Sequence, residues 1–264
     1  MPKLTILHSY GEEIQTRLSL KTFPIAVKLL ENEEDIPQDV QRPLRDLGHH
    51  MATCQAISLA RHDGQKFALM KEDMWCFESV LGLGLAELPQ EFLDGHNCYP
   101  GSSRTLETGA IWAQEEFPHL EYGKYRGVAC APLRSTSFDP DLVIIYCDSA
   151  QLMQLVLSMV GSDGRDVQCK LSGRAACVYE IVPTMQENKC HLTVPCPGDR
   201  YTAMAQDNEM AFSVPKDKIE DLVMGVRYLD EQNIGFQRKL KLRPEYQLAE
   251  SYVSIGKKIG MDVR

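Results

Sequence analysis

Short apolar runs separated by glycine, proline and acidic clusters fill this chain, and their period switches repeatedly between helical and extended. Leu4, Leu7, Ile14 and Leu18 predict an amphipathic first helix, with Gly11 interrupting its middle. FPIAVKLL at 23–30 then reads as a strand whose Pro24 suits its beginning or a sheet edge. Residues 31–48, acidic and proline-bearing, make a solvated loop. Thr53 is placed to cap a helix from Cys54 to about Arg61, closed by Asp63 and Gly64. A strand at 66–70 follows, Asp73 caps a helix through Val80, and LGLG at 81–84 stops it.

Beyond a loop rich in glycine and proline, Ser103 opens a helix that Phe117 and Pro118 close. GVACAPL at 127–133 and LVIIY at 142–146 are continuous apolar runs of buried strands, parted by the turn-forming STSFDPD. Ser149 caps a helix over 150–160, a strand spans 167–171, and a helix covers 173–182. Strands follow at 191–194 and 210–214, and Pro215 begins a helix reaching Tyr228. This alternation predicts an α/β (or α+β) chain: a single compact domain, residues 1–230, with a mixed β-sheet flanked by helices. Residues 231–264 carry seven Lys/Arg against four Asp/Glu and end in an amphipathic helix. They form a basic C-terminal helical arm, expected to pack on the body or on a second subunit as a homodimer.

Composition narrows the function classes. The 264 residues are 44% hydrophobic and 25% charged, with a formal net charge of −9. Such acidity argues against nucleic acid, which needs clustered cations, and against anionic membrane surfaces. Glu12, Glu13 and Arg17 leave no apolar leader, and no run is long enough to span a bilayer, so the chain is expected to be cytoplasmic. Nine cysteines in a reducing compartment do not suggest a disulfide scaffold, and no pair has C-x-x-C spacing. A shared thiol site would have to be assembled from distant segments.

No phosphate-cradling G-x-x-x-x-G-K-[ST] or hydrolase G-x-S-x-G occurs, and adjacent His49 and His50 point apart on any regular element. Four cysteines occupy distinctive contexts. Cys54 and Cys76 lie at helix starts, where backbone N–H groups favour thiolate. Cys177 sits early in SGRAACVYEI, and Cys196 is held in the rigid turn VPCPGDR. Soft thiolates of this kind suit Fe–S clusters, zinc or copper. Cys130 and Cys147 lie inside apolar runs, where cysteine acts as a small hydrophobe. On residues alone, scattered buried thiols remain the competing account.

FPIAVKLL, ATCQAISLAR, WCFESVLGLGL, SGRAACVYEI and PCPGDRYTAMAQDNEMAFSVP occur in an order that resembles the uncharacterised domain of unknown function 169 (ArCR) family, from about Phe23 to Tyr228. The resemblance selects the positions of Cys54, Cys76, Cys177 and Cys196, with Pro24, Lys28, Gln55, Gly198, Arg200 and the acidic segment before MAFSVP. The family pattern often has glycine where this chain has Pro195, and proline where it has Phe77. It implies a shared site but brings no reaction with it.

Together these point to a cysteine-ligated [4Fe–4S] protein of cytoplasmic, anaerobic-type redox metabolism, with zinc as the redox-inactive rival, acting as a redox enzyme or accessory with a redox protein partner. Lys28 and Arg200, with Gln55 and Gly198, are the candidate ligand-binding residues beside it. Asp199 reads as a residue capping its turn. The alternative is a non-enzymatic module binding a small anionic ligand or cofactor through the Arg200 turn, its cysteines merely buried.

Overall fold

The computed structural model describes residues 2–234 and 248–262. Helix α1 (Pro2–Arg17) leads into β1 (Ile25–Leu30), then α2 (Thr53–Asp63), β2 (Phe67–Met70) and α3 (Phe77–Gly82). The short α4 (Gln90–Leu93) and α5 (Leu106–Ile111) precede β3 (Gly127–Pro132), β4 (Leu142–Cys147) and α6 (Ser149–Asp163). The second half continues through α7 (Ala176–Glu187), β5 (His191–Thr193), α8 (Pro197–Thr202), β6 (Met210–Pro215) and α9 (Ile219–Glu231). Helix α10 (Glu250–Lys258) closes the described chain.

One six-stranded sheet, in the order β2-β3-β1-β4-β6-β5, lies between two helical layers. The central strands are apolar at nearly every position because both faces are covered. Ile25, Val27, Leu29, Leu142, Ile144 and Tyr146 face the core beneath α2, α3 and α7. Ala26, Leu30, Val143, Ile145, Phe212 and Val214 face the opposite core, built with α1, α6 and α9. The helix-and-strand architecture is the one expected, but every ladder pairing in the sheet is antiparallel instead of mixed. Periodicity marks a strand without giving its direction, and intervening helices suggested crossovers that the chain does not make.

Three local expectations change for packing reasons. Gly11 does not break α1: a Cβ there would lie 2.7 Å from the Arg134 backbone nitrogen, so glycine permits close approach. Gly82 acts likewise, since its Cβ would come within 2.3 Å of Val178 on α7. The LGLG segment thus seats α3 against α7 as well as ending it. Residues 167–171 alternate like a strand but form none; β5 takes the sheet edge beyond β6, and Leu171 is left exposed. Asp148, one residue before the expected Ser149, caps α6 by accepting from the N–H groups of Ala150 and Gln151. Much of the basic arm, residues 235–247 and 263–264, lies outside the described residues.

Candidate functional site

The starts of α2, α3, α7 and α8 meet on one side of the sheet, and each carries one of the four singled-out cysteines. Cys54 is the second residue of α2 and Cys177 the second of α7, while Cys76 and Cys196 are the N-caps of α3 and α8. Each sulfur lies within electrostatic reach of the other three. Cys130 has none of the four among its charged neighbours, and Cys147 lies in the opposite core. Among the described residues, no group of three or more His, Cys, Asp or Glu is arranged to hold a metal ion. The thiols converge without reaching ligating spacing.

Their chemistry departs from the sequence expectation. Helix starts were expected to favour thiolate, yet burial pushes all four thiols up. Backbone N–H groups of Ser79 and Glu78 oppose this at Cys76, as do those of Ala176 and Asp199 at Cys196. Desolvation wins because the packing around these sulfurs removes water that a lone thiolate needs. Only an arriving cation would reverse that balance. Ala175, just before the Ala176 N–H that bonds Cys196, holds φ at +45°, a left-handed conformation that costs an L-residue about 1–2 kcal/mol.

Gln55 braces three of the four segments. Its carbonyl accepts from the Ala52 N–H and from Trp75 Nε1, both at 2.9 Å, and its amide lies 3.4 Å from the Thr202 carbonyl. The neighbours of Cys54, Cys76 and α8 are therefore tied through one side chain, a positioning role. Gly198 sits in α8 against Cys196, its virtual Cβ 3.7 Å from the sulfur. Arg200 donates to the Gln206 carbonyl at 2.7 Å in an exposed contact, bracing its own loop. Lys28 does not share this site: strand alternation puts it on the face of Ala26 and Leu30, next to Asp141.

Beneath the cysteines lies a polar group that sequence reasoning missed. Tyr146 Oη is 3.0 Å from Glu180 Oε1 and 2.9 Å from Asp199 Oδ2. One hydroxyl has one proton to donate, so the second contact requires a proton on a carboxyl. Burial raises both pKa values, helped by the Asp199 charge at Glu180 and by the Glu209 charge at Asp199, and Glu180 is raised more than Asp199. Asp199 is thus no turn cap; its carboxyl turns inward, while its N–H donates to the Cys196 sulfur at 3.5 Å. Arg61, 1% exposed, lies 4.0 Å over the Tyr146 ring and donates to both oxygens of Glu209 at 3.0 Å. Burial works against Glu209, yet those bonds hold its pKa below the ordinary value.

A second cation closes the other flank. Arg174 donates to Cys98 Sγ at 3.5 Å, the Ser102 carbonyl at 2.7 Å and Ser103 Oγ at 3.0 Å. It opposes the burial that raises Glu78, a carboxyl acting on Cys76, Cys98 and Cys196 alike. Arg61, Arg174, Glu180 and Asp199 all lie inside motifs noted above, but only burial distinguishes them from surface charges.

The carboxyl pair makes stability depend on pH in an unusual sense. A carboxyl with a raised folded-state pKa favours the fold most at low pH, and that contribution is lost as pH climbs through the folded value. The share of stability from this locus should fall between about pH 5 and pH 8. His62 and His191, kept neutral by burial, act oppositely as pH falls through the histidine range. Comparing Glu180→Gln with wild type in urea titrations across that interval isolates the carboxyl, and the variant should decline less. Equal declines would mean that Glu180 is ionised in the fold.

A family model described as Uncharacterised ArCR, domain of unknown function 169, matches residues 13–225. The chain is also similar to uncharacterized protein MJ0308 of Methanocaldococcus jannaschii, with 24% identity over 207 residues covering 77% of this chain and 86% of that one. No solved structure matches.

Proposed function

This chain belongs to the Uncharacterised ArCR family, whose model spans most of its length, and from that footing we propose that it is a thiolate-metal protein of redox metabolism. The ligands are Cys54, Cys76, Cys177 and Cys196, and a [4Fe–4S] cluster is the favoured occupant, with zinc as the rival. The carrying observation is that four thiols from distant segments gather at four helix starts, all six pairs within electrostatic reach. The donor set suits a soft metal, and backbone N–H groups already point at two of the sulfurs. A bound cluster would supply one-electron transfer. The surrounding chain excludes water, keeps the thiols protonated until the metal arrives, and holds a proton at the Glu180–Tyr146–Asp199 group. Uptake must release the thiol protons, so it becomes more favourable as pH rises.

Partners follow from the surface. Trp75, Phe77 and Tyr201, flanking Cys76 and on α8, are 51%, 52% and 89% exposed, which supports docking of a redox protein beside the centre. A homodimer is supported by α10, a nine-residue helix whose Tyr252 and Ile255 stand exposed. Isolated helices that short do not persist in water without a packing surface. A monomer in sedimentation velocity would remove the dimer. No helix among the described residues is long and apolar enough to cross a membrane.

Anaerobic purification and reconstitution, followed by a visible spectrum and assay of iron, zinc and acid-labile sulfide, tests the centre. A coloured protein with about four iron and four sulfide per chain is expected for the cluster. One zinc and no sulfide would substitute the rival. A colourless, metal-free protein would defeat both and leave the anion-binding module standing.

A further inference from the structure

Helix α7 covers a set of buried polar atoms that have no hydrogen-bond partner. Glu180 Oε2, Thr193 Oγ1, Ser213 Oγ and His191 Nε2 are all buried without a hydrogen bond. They lie together. His191 pairs directly with Ser213 across β5 and β6, Thr193 pairs with Ala211, and Ala211 pairs with Tyr146 across β6 and β4. Directly paired residues share a sheet face, and Tyr146 and Ala211 belong to the core on the α7 side. From above, Glu180, Thr184 and Glu187 fall on one stripe of α7.

The set runs in one direction. At its outer end the Glu187 carboxylate, half exposed, lies 3.6 Å from His191 Nε2 on the edge strand. Ser213 and Thr193 continue inward on neighbouring rows. At the inner end Glu180 contacts Tyr146 beneath the cysteines. On the sheet row between Thr193 and Tyr146 stands Ala211, whose side chain is only a methyl. An orphaned buried polar group costs about 1–3 kcal/mol, and four along one seam are not sustained without partners. Ordered water is the usual partner where several polar atoms face one seam.

We propose that α7 and strands β4–β6 enclose a file of ordered water molecules that carries protons between solvent at Glu187 and His191 and the inner pair Glu180 and Tyr146. Transfer is by relay: each hydroxyl or water accepts one proton and passes on another, so no bond order or oxidation state changes overall. Supplying protons to the cysteine centre is the use that rests on the function proposed above. The hydrated file itself does not.

Both tests use the metal-free protein, so they remain decisive whether or not a metal is ever found. Thr193→Val keeps the shape and removes the hydroxyl. If the seam is hydrated, Tm falls; if it is dry, losing an unsatisfied hydroxyl leaves Tm equal or higher. Infrared spectroscopy after transfer to D2O then follows deuteration of the Glu180 carboxylic acid, its band assigned by loss in Glu180→Gln. Exchange in Thr193→Val should be slower by about tenfold or more, as when one relay step gains a barrier. Ser213→Ala supplies a second Tm measurement if the valine variant does not fold, and should lower Tm in the same way. An equal or higher Tm, an unchanged exchange rate, or no protonated Glu180 to exchange would each overturn the proposal.

Discussion

Arg61→Met should lower the unfolding free energy by about 3–5 kcal/mol, the loss typical when one partner of a buried ion pair is removed. Arg61 is held inside because both terminal guanidinium nitrogens donate hydrogen bonds. It meets Glu209 through two bonds at 3.0 Å, donates to the Met204 carbonyl at 3.3 Å, and lies 4.0 Å over the Tyr146 ring. Methionine fills much of the volume but leaves Glu209 buried without its counter-charge. It also removes the cation nearest the Glu180–Asp199 pair. Urea denaturation measures the loss. Arg61→Lys should fall between, because an ammonium can neither bond bidentately nor stack as a plane. The double variant Arg61→Met/Glu209→Leu should recover most of the stability, since replacing both ions removes the uncompensated charge. A loss below about 1 kcal/mol in Arg61→Met, the range of an exposed pair, would contradict the buried geometry.

Cys54→Ser and Cys196→Ser should each lose metal and stability together. In a metal site assembled by folding, binding free energy is also folding free energy. The four segments are far apart in sequence, so the metal would join the first and last thirds of the domain. Cys130→Ser should keep the metal and lose only roughly 1–3 kcal/mol for a hydroxyl buried in the sheet. Metal content by elemental analysis, set beside thermal melts of loaded protein, reads both effects at once. Unchanged metal in both Cys54→Ser and Cys196→Ser would place the ligands elsewhere. A centre that survives only Cys177→Ser would be an open one, held by three cysteines with a free coordination position.

Elements with a strong local signature were legible from the chain itself. GVACAPL and LVIIY could be little but buried strands, and β3 and β4 lie there. The helix start at Cys54 was visible within one residue, because caps and apolar period act over one turn, whereas α3 is capped by Cys76, three residues after the expected Asp73. The four cysteines could be chosen by local context and family resemblance. Lys28 could not be placed, since its side of the strand depends on which core lies beneath it. The thiol ionisation was misjudged for a similar reason: helix-start N–H groups are local, but desolvation is set by everything packed around them.

Sequence alone therefore determined the inventory: short strands, capped helices, and thiols poised at helix starts. Which of these meet was decided only by the tertiary structure. Arg61, Tyr146, Glu180, Asp199 and Glu209 come from five separate elements or turns, and nothing in their spacing marks them as neighbours. Local conformation follows from torsions and hydrogen bonds within a few residues. Burial, counter-charge and shared protons arise from contacts between segments far apart in the chain, and they exist only once both faces of the sheet are covered.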